Sequence, residues 1–142
     1  MKKILVINGP NLNLLGRREP AIYGVKTLDA INEDLKRLSL DLNLSLDFFQ
    51  SNHEGALIDK IQLLEGSYDG AILNAGGFTH SSVALRDAVL AAGVPIVEVH
   101  LSNPLAREHY RHRSYLTGAA IGCIAGFGDK SYELALYWFS RN

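Results

Sequence analysis

Lys3-Ile4-Leu5-Val6-Ile7-Asn8-Gly9-Pro10 is the stretch on which the fold turns. The apolar run through Ile7 does not alternate with polar residues, which is how a strand covered on both faces reads, and Asn8-Gly9-Pro10 ends it with turn-forming residues. Although the run follows Met1-Lys2-Lys3, it is too short for a signal core or a bilayer span. A doubly covered strand needs crossover helices, so the rest of the chain is expected to alternate strands with helices.

It does. Leu28, Ile31, Leu35, Leu38 and Leu42 recur at spacings of 3, 4, 3 and 4, one apolar stripe of a helix that Thr27 can cap. Leu44, Leu46 and Phe48 alternate with polar residues as a strand does, stopping at Gln50-Ser51-Asn52 before a helix with Leu57, Ile61 and Leu64. Gly70–Asn74 reads as the third strand, about 81–92 as a helix closed by Gly93, and Pro95–His100 as the fourth strand. Gly118–Ile124 is expected to be the fifth strand and about 130–140 the last helix. The reading is one domain spanning 1–142, an α/β sandwich with a mostly parallel five-stranded sheet. Gly9 to Gly24 has no sustained period and crowds Gly, Pro and Asn around Arg17 and Arg18, so it is expected to be a functional loop, a candidate lid.

Lys plus Arg number 14 against 15 Asp plus Glu, a net charge of −1 without a long basic run, which argues against a nucleic-acid binder. Hydrophobic residues at 47% and charged ones at 20% suit an ordinary globular domain. The single Cys, Cys123, cannot form an internal disulfide and fits a reducing, cytoplasmic setting; within an apolar strand it is expected to be buried and inert.

Ligands of open parallel sheets bind beyond the carboxyl ends of the strands. There the chain places Asn8 and Asn11, Gln50 and Asn52, Asn74 with His80, and His100 with Ser102 and Asn103. Singly, each is as readily a turn or cap residue; together they suggest a polar pocket. Glu98 and His100, two apart on a strand, leave the same face, where a carboxylate would fix the imidazole tautomer and favour its protonated form. A wet edge strand is the other reading. Tyr23 follows Arg17 and Arg18 in the loop; a phenol, with an ordinary pKa of about 10, serves as a base near neutrality only if cations stabilise the phenolate. A solvated basic loop is its alternative. His53-Glu54 lacks the second His of a zinc-protease helix, and His109 with His112 lacks further ligands, so no metal is expected. Gly126-Phe127-Gly128-Asp129-Lys130-Ser131 fits neither phosphate-loop spacing and reads as a turn.

The stretch Asn8-Gly9-Pro10-Asn11-Leu12-Asn13-Leu14-Leu15-Gly16-Arg17-Arg18-Glu19-Pro20, closing with Ile22-Tyr23-Gly24, resembles the signature loop of type II 3-dehydroquinate dehydratases. Gln50–Gly55, Asn74–His80 running on to Ala84–Ala88, and Glu98–Pro104 resemble that family in the same order, so the likeness spans nearly the whole chain. Leu105, His109 and Arg113 depart from its pattern.

The resemblance implies a flavodoxin-like fold with strand order 2-1-3-4-5 and dehydration of 3-dehydroquinate in the shikimate pathway, without a cofactor. By the same resemblance Tyr23 is the base, activated by Arg18, and Asn11 helps hold the water that stabilises an enolate. His100, oriented by Glu98, is the acid. Asn74 and the amides of Leu101 and Ser102 bind the substrate carboxylate, His80 and Arg111 bind ring hydroxyls, and Asp87 reaches the site from a neighbouring subunit. A homododecamer of trimers is expected. The competing reading is a flavodoxin-like binding or signalling module; a receiver would want acidic residues where Asn8 stands, and a flavin carrier a phosphate loop in place of Arg17-Arg18.

Overall fold

The computed structural model describes residues 1–142. Strands β1 (Lys2–Asn8), β2 (Leu44–Gln50), β3 (Gly70–Asn74), β4 (Ile96–His100) and β5 (Gly122–Ala125) form one parallel sheet in the order β2-β1-β3-β4-β5. Alternate residues of each strand serve opposite layers. Ile4, Val6, Ile72, Val97 and Val99 pack on one face against Ile31 and Leu35 of α2 (Leu28–Asp41) and Tyr132, Leu136 and Phe139 of α5 (Lys130–Arg141). Leu5, Ile7, Ala71, Leu73 and Ile96 pack on the other against Leu57 and Ile61 of α3 (Glu54–Gln62) and Leu85 and Val89 of α4 (Val83–Leu90). Thr27 caps α2 as expected, its Oγ1 accepting from Ala30 N at 3.2 Å.

The expected boundaries shift in three places. Ser82 Oγ accepts from Leu85 N at 2.9 Å and starts α4 at Val83, and the helix ends at Leu90, while Gly76–His80 before it form a 3₁₀ turn. Residues 118–121 are not strand: Ala119 N and Ala120 N both bond Leu116 O, and sheet pairing begins only where Ile121 N reaches Ile96 O at 3.0 Å. Within the expected loop, Pro20–Tyr23 form a one-turn helix, α1, with Pro at its start and no buried residue.

Two glycines bring the loops after β1 and β3 together. Gly9 N donates to Asn74 O at 2.7 Å, and a Cβ on Gly9 would lie 2.5 Å from Ala75 O. Gly76 has φ +57°, and a Cβ there would meet Pro10 O at 2.9 Å. Only residues without side chains allow this approach. It builds the floor of the site.

Candidate active site

A cavity of about 120 Å³ lies beyond the carboxyl ends of β1, β3 and β4. The loop after β1 contributes Asn11, Arg18 and Tyr23, the end of β3 and its turn contribute Asn74 and His80, and β4 and its continuation contribute His100, Leu101, Ser102, Arg107 and Arg111. Among the expected site residues, the structure therefore gathers Asn11, Arg18, Tyr23, Asn74, His80, His100, Leu101, Ser102 and Arg111 around one space. Glu98 stands directly behind His100, and Asp87 is exposed on α4, away from the cavity.

On the β4 wall, Glu98 Oε2 lies 2.5 Å from His100 Nε2 and accepts from Ser114 Oγ at 2.9 Å, while Oε1 accepts from Thr117 Oγ1 at 2.5 Å. At 1% exposure the carboxylate is part of the core, so the wet-edge reading of this strand fails. Burial alone would push its pKa up, but the bonds from His100 and Thr117, with Ser114 behind them, outweigh it and hold the group below its ordinary value. A buried acceptor so placed favours a proton on His100 Nε2 and orients the ring, with Nδ1 the remaining nitrogen. The His80 ring stands 6.5 Å away, nearly parallel. Its Nδ1 donates to Arg113 O at 2.8 Å, and burial pushes its pKa below the ordinary value, so a neutral His80 offers Nε2 as an acceptor.

Across the cavity, Tyr23 is half-buried between two guanidinium groups, with Arg18 Cζ at 4.7 Å and Arg107 Cζ at 5.0 Å from the ring centroid. The solvated-loop reading thus gives way to a charge-flanked phenol. Arg107 donates to Ser102 Oγ at 3.2 Å, and its buried Nε has no hydrogen-bond partner, the nearest carboxylate being Glu108 at 3.8 Å. Its only signal in the sequence was proximity to the end of β4. Arg111 is instead tethered to Glu108, Nε donating at 2.7 Å.

Asn74 is fixed from below. Its Oδ1 accepts from Gly76 N at 3.2 Å and its Nδ2 donates at 2.9 Å to Tyr132 Oη, which in turn donates to Asn8 Oδ1. Tyr132 is wholly buried, which pushes its pKa above the ordinary value and keeps it a neutral donor. No pattern in the sequence singled out Tyr132. Asn8, Gln50, Asn52 and Asn103 do not line the cavity. Asn52 Oδ1 accepts from Asn11 N at 3.0 Å and from Gln50 Nε2 at 3.2 Å, bracing the loop, and Asn103 caps a short turn through Leu105 N. For Asn52 and Asn103 the turn-and-cap reading holds, whereas Asn8 and Gln50 are strand residues that brace their neighbours. His112 Nε2 donates to Arg107 O at 2.9 Å, a structural use. The Gly126–Gly128 turn rests on β4, Gly128 N bonding Leu101 O at 2.9 Å.

The arrangement offers a phenol beside cations facing an imidazole backed by a carboxylate, with amide and guanidinium donors between: an acid, a base and stabilisers for a developing anion. Comparison with known proteins shows the family. The family model described as dehydroquinase class II matches residues 2–140. A 3-dehydroquinate dehydratase of Prochlorococcus marinus (strain NATL1A) is 56% identical over 94% of this chain and 92% of its own length. One from Bordetella avium (strain 197N) is 54% identical over 99% of each chain. The crystal structure of type II dehydroquinase from Propionibacterium acnes superposes with a TM-score of 0.97 at 39% identity, covering 100% of this chain and 98% of that one.

Proposed function

The chain belongs to the class II dehydroquinase family, and from that premise we propose how its cavity removes water from 3-dehydroquinate. The protein is a 3-dehydroquinate dehydratase, a hydro-lyase. Loss of water from a β-hydroxy ketone begins with removal of a proton from the carbon beside the carbonyl, and Tyr23, as phenolate between Arg18 and Arg107, is the group to take it. The electron pair moves onto the ketone oxygen as an enolate, stabilised by a water held with the help of Asn11. His100 then gives a proton to the departing hydroxyl as the C–O bond breaks, and the enolate collapses to the conjugated enone 3-dehydroshikimate. Glu98 is a positioning residue: it orients His100 and stabilises the imidazolium.

Asn74 and the amides of Leu101 and Ser102 receive the substrate carboxylate, and His80 and Arg111 the ring hydroxyls. Asp87, exposed on α4, completes the site of a neighbouring copy in a trimer, four of which make a dodecamer. No helix is long and apolar enough to cross a membrane, and the enzyme serves the shikimate pathway in the cytoplasm. The observation that carries this reading is the placement of the cation-flanked Tyr23 and the Glu98-backed His100 on one cavity. Ultraviolet detection of the enone after exhaustive chelation tests it; absence of product, or product only when metal is added back, would overturn it.

A further inference from the structure

On the α3/α4 side of the sheet, behind His100, a second cleft of about 490 Å³ opens between β4, β5 and residues 111–117. Cys123 of β5 borders it and, against expectation, is exposed: β5 is the edge strand, and Cys123 pairs in register with Glu98 on the same face. One ligand atom each from Glu98, His100 and Cys123 lies within 4.8 Å of the other two. Ligands around a tetrahedral zinc ion sit roughly 3.2–3.8 Å apart, given Zn–N, Zn–O and Zn–S bonds of about 2.0–2.3 Å. Closing the cluster therefore takes side-chain shifts of about an ångström. Thr79, with no exposed surface, also borders this cleft, and its Oγ1 has no hydrogen-bond partner.

We propose that Cys123, His100 and Glu98 form a site for a thiophilic divalent cation such as Zn²⁺, with the fourth position open toward the cleft and Thr79, and that its occupancy shuts the enzyme down. A thiolate, an imidazole and a carboxylate are a donor set that favours zinc over magnesium or calcium. On binding, the metal replaces the thiol proton and the proton shared by His100 and Glu98, and these leave to solvent. The ion is an inhibitor here, not a cofactor, because the imidazole that it engages can no longer deliver a proton.

The inhibitory part rests on the role of His100 proposed above; metal binding does not, and the two are read separately. Chelator-treated, assembled enzyme is titrated with Co²⁺, and thiolate-to-metal charge-transfer absorption is expected in the wild type and absent in Cys123→Val. In the enone assay Zn²⁺ should inhibit the wild type at concentrations roughly tenfold or more below those needed for Cys123→Val, whose metal-free turnover is unchanged, while Mg²⁺ inhibits neither. Cys123→Ala provides the same comparison should the valine variant not fold. Absence of the charge-transfer band, or equal zinc sensitivity in wild type and variant, overturns the site. A band with undiminished turnover overturns inhibition through His100 and leaves only a metal held by Cys123.

Discussion

The two halves of the active site are held by different physics. On the β4 wall, the proposed acid His100 is fixed by directional bonds: Glu98 is almost wholly buried and accepts from His100, Ser114 and Thr117. In the loop after β1, the proposed base Tyr23 sits on a one-turn helix with no buried residue, with guanidinium groups at 4.7 and 5.0 Å from its ring centroid. Hydrogen bonds in a low-dielectric interior set an orientation before substrate arrives; charges over an aromatic face set an environment and leave the backbone free to move. The β4 half is held by directional bonds in the core, the loop half by less directional contacts at the surface.

The largest effect expected from this contrast is at Tyr23. Tyr23→Phe keeps the ring and its cation contacts but removes the base, so turnover should fall by about 10²- to 10⁴-fold at every pH; near-normal kcat would take the loop out of the mechanism. His100→Ala should approach the same range, and Glu98→Gln should fall short of it because a neutral amide can still hold the ring. Equal small losses in a steady-state comparison would show that the β4 pair is structural. Arg18→Ala should lower turnover by a smaller factor, since Arg107 also stands over the ring, 5.0 Å from its centroid; wild-type turnover would take Arg18 out of the mechanism.

The orientation half can be broken through its supports. Glu98 is held below its ordinary carboxylate range, so its ionised form favours the fold above that ordinary value, and this contribution is lost as pH falls through the lowered one. Thr117→Val removes a bond to that charge, worth about 1.5–3 kcal/mol. The acid unfolding midpoint should move to higher pH, and chemical denaturation at neutral pH should show the loss; an unchanged midpoint would mean that Thr117 does not bear on Glu98. The smallest expected effect is Tyr132→Phe, which frees the Asn74 amide without touching the acid or base. KM should rise several-fold with kcat little changed; a fall in kcat at constant KM would count against Asn74 as a carboxylate contact.

The doubly covered β1, the alternation of strands with helices and the polar residues past the strand ends followed from the residues themselves, because periodicity along an element reports which of its faces is buried, and that pattern is local; the strand order followed only from the family resemblance. The Glu98–His100 pair was legible for the same reason, as two residues on one face of one strand. Its partners were not. Thr117 and Ser114 come from an irregular segment with no period, and Tyr132 meets Asn8 across 124 positions of chain, a pairing that exists only once α5 has packed on the sheet. Arg107 reaches Tyr23 through a fold of loops, where nothing local fixes direction. Cys123 sits in an apolar strand yet is exposed, because strand composition says how well a residue fits a sheet, while the sheet's edge is set by where the strands stop being paired and covered. Sequence alone determined the layers and the rim on which chemistry would gather. Only tertiary packing decided which of those polar groups share a cavity, since side-chain convergence depends on how distant elements meet.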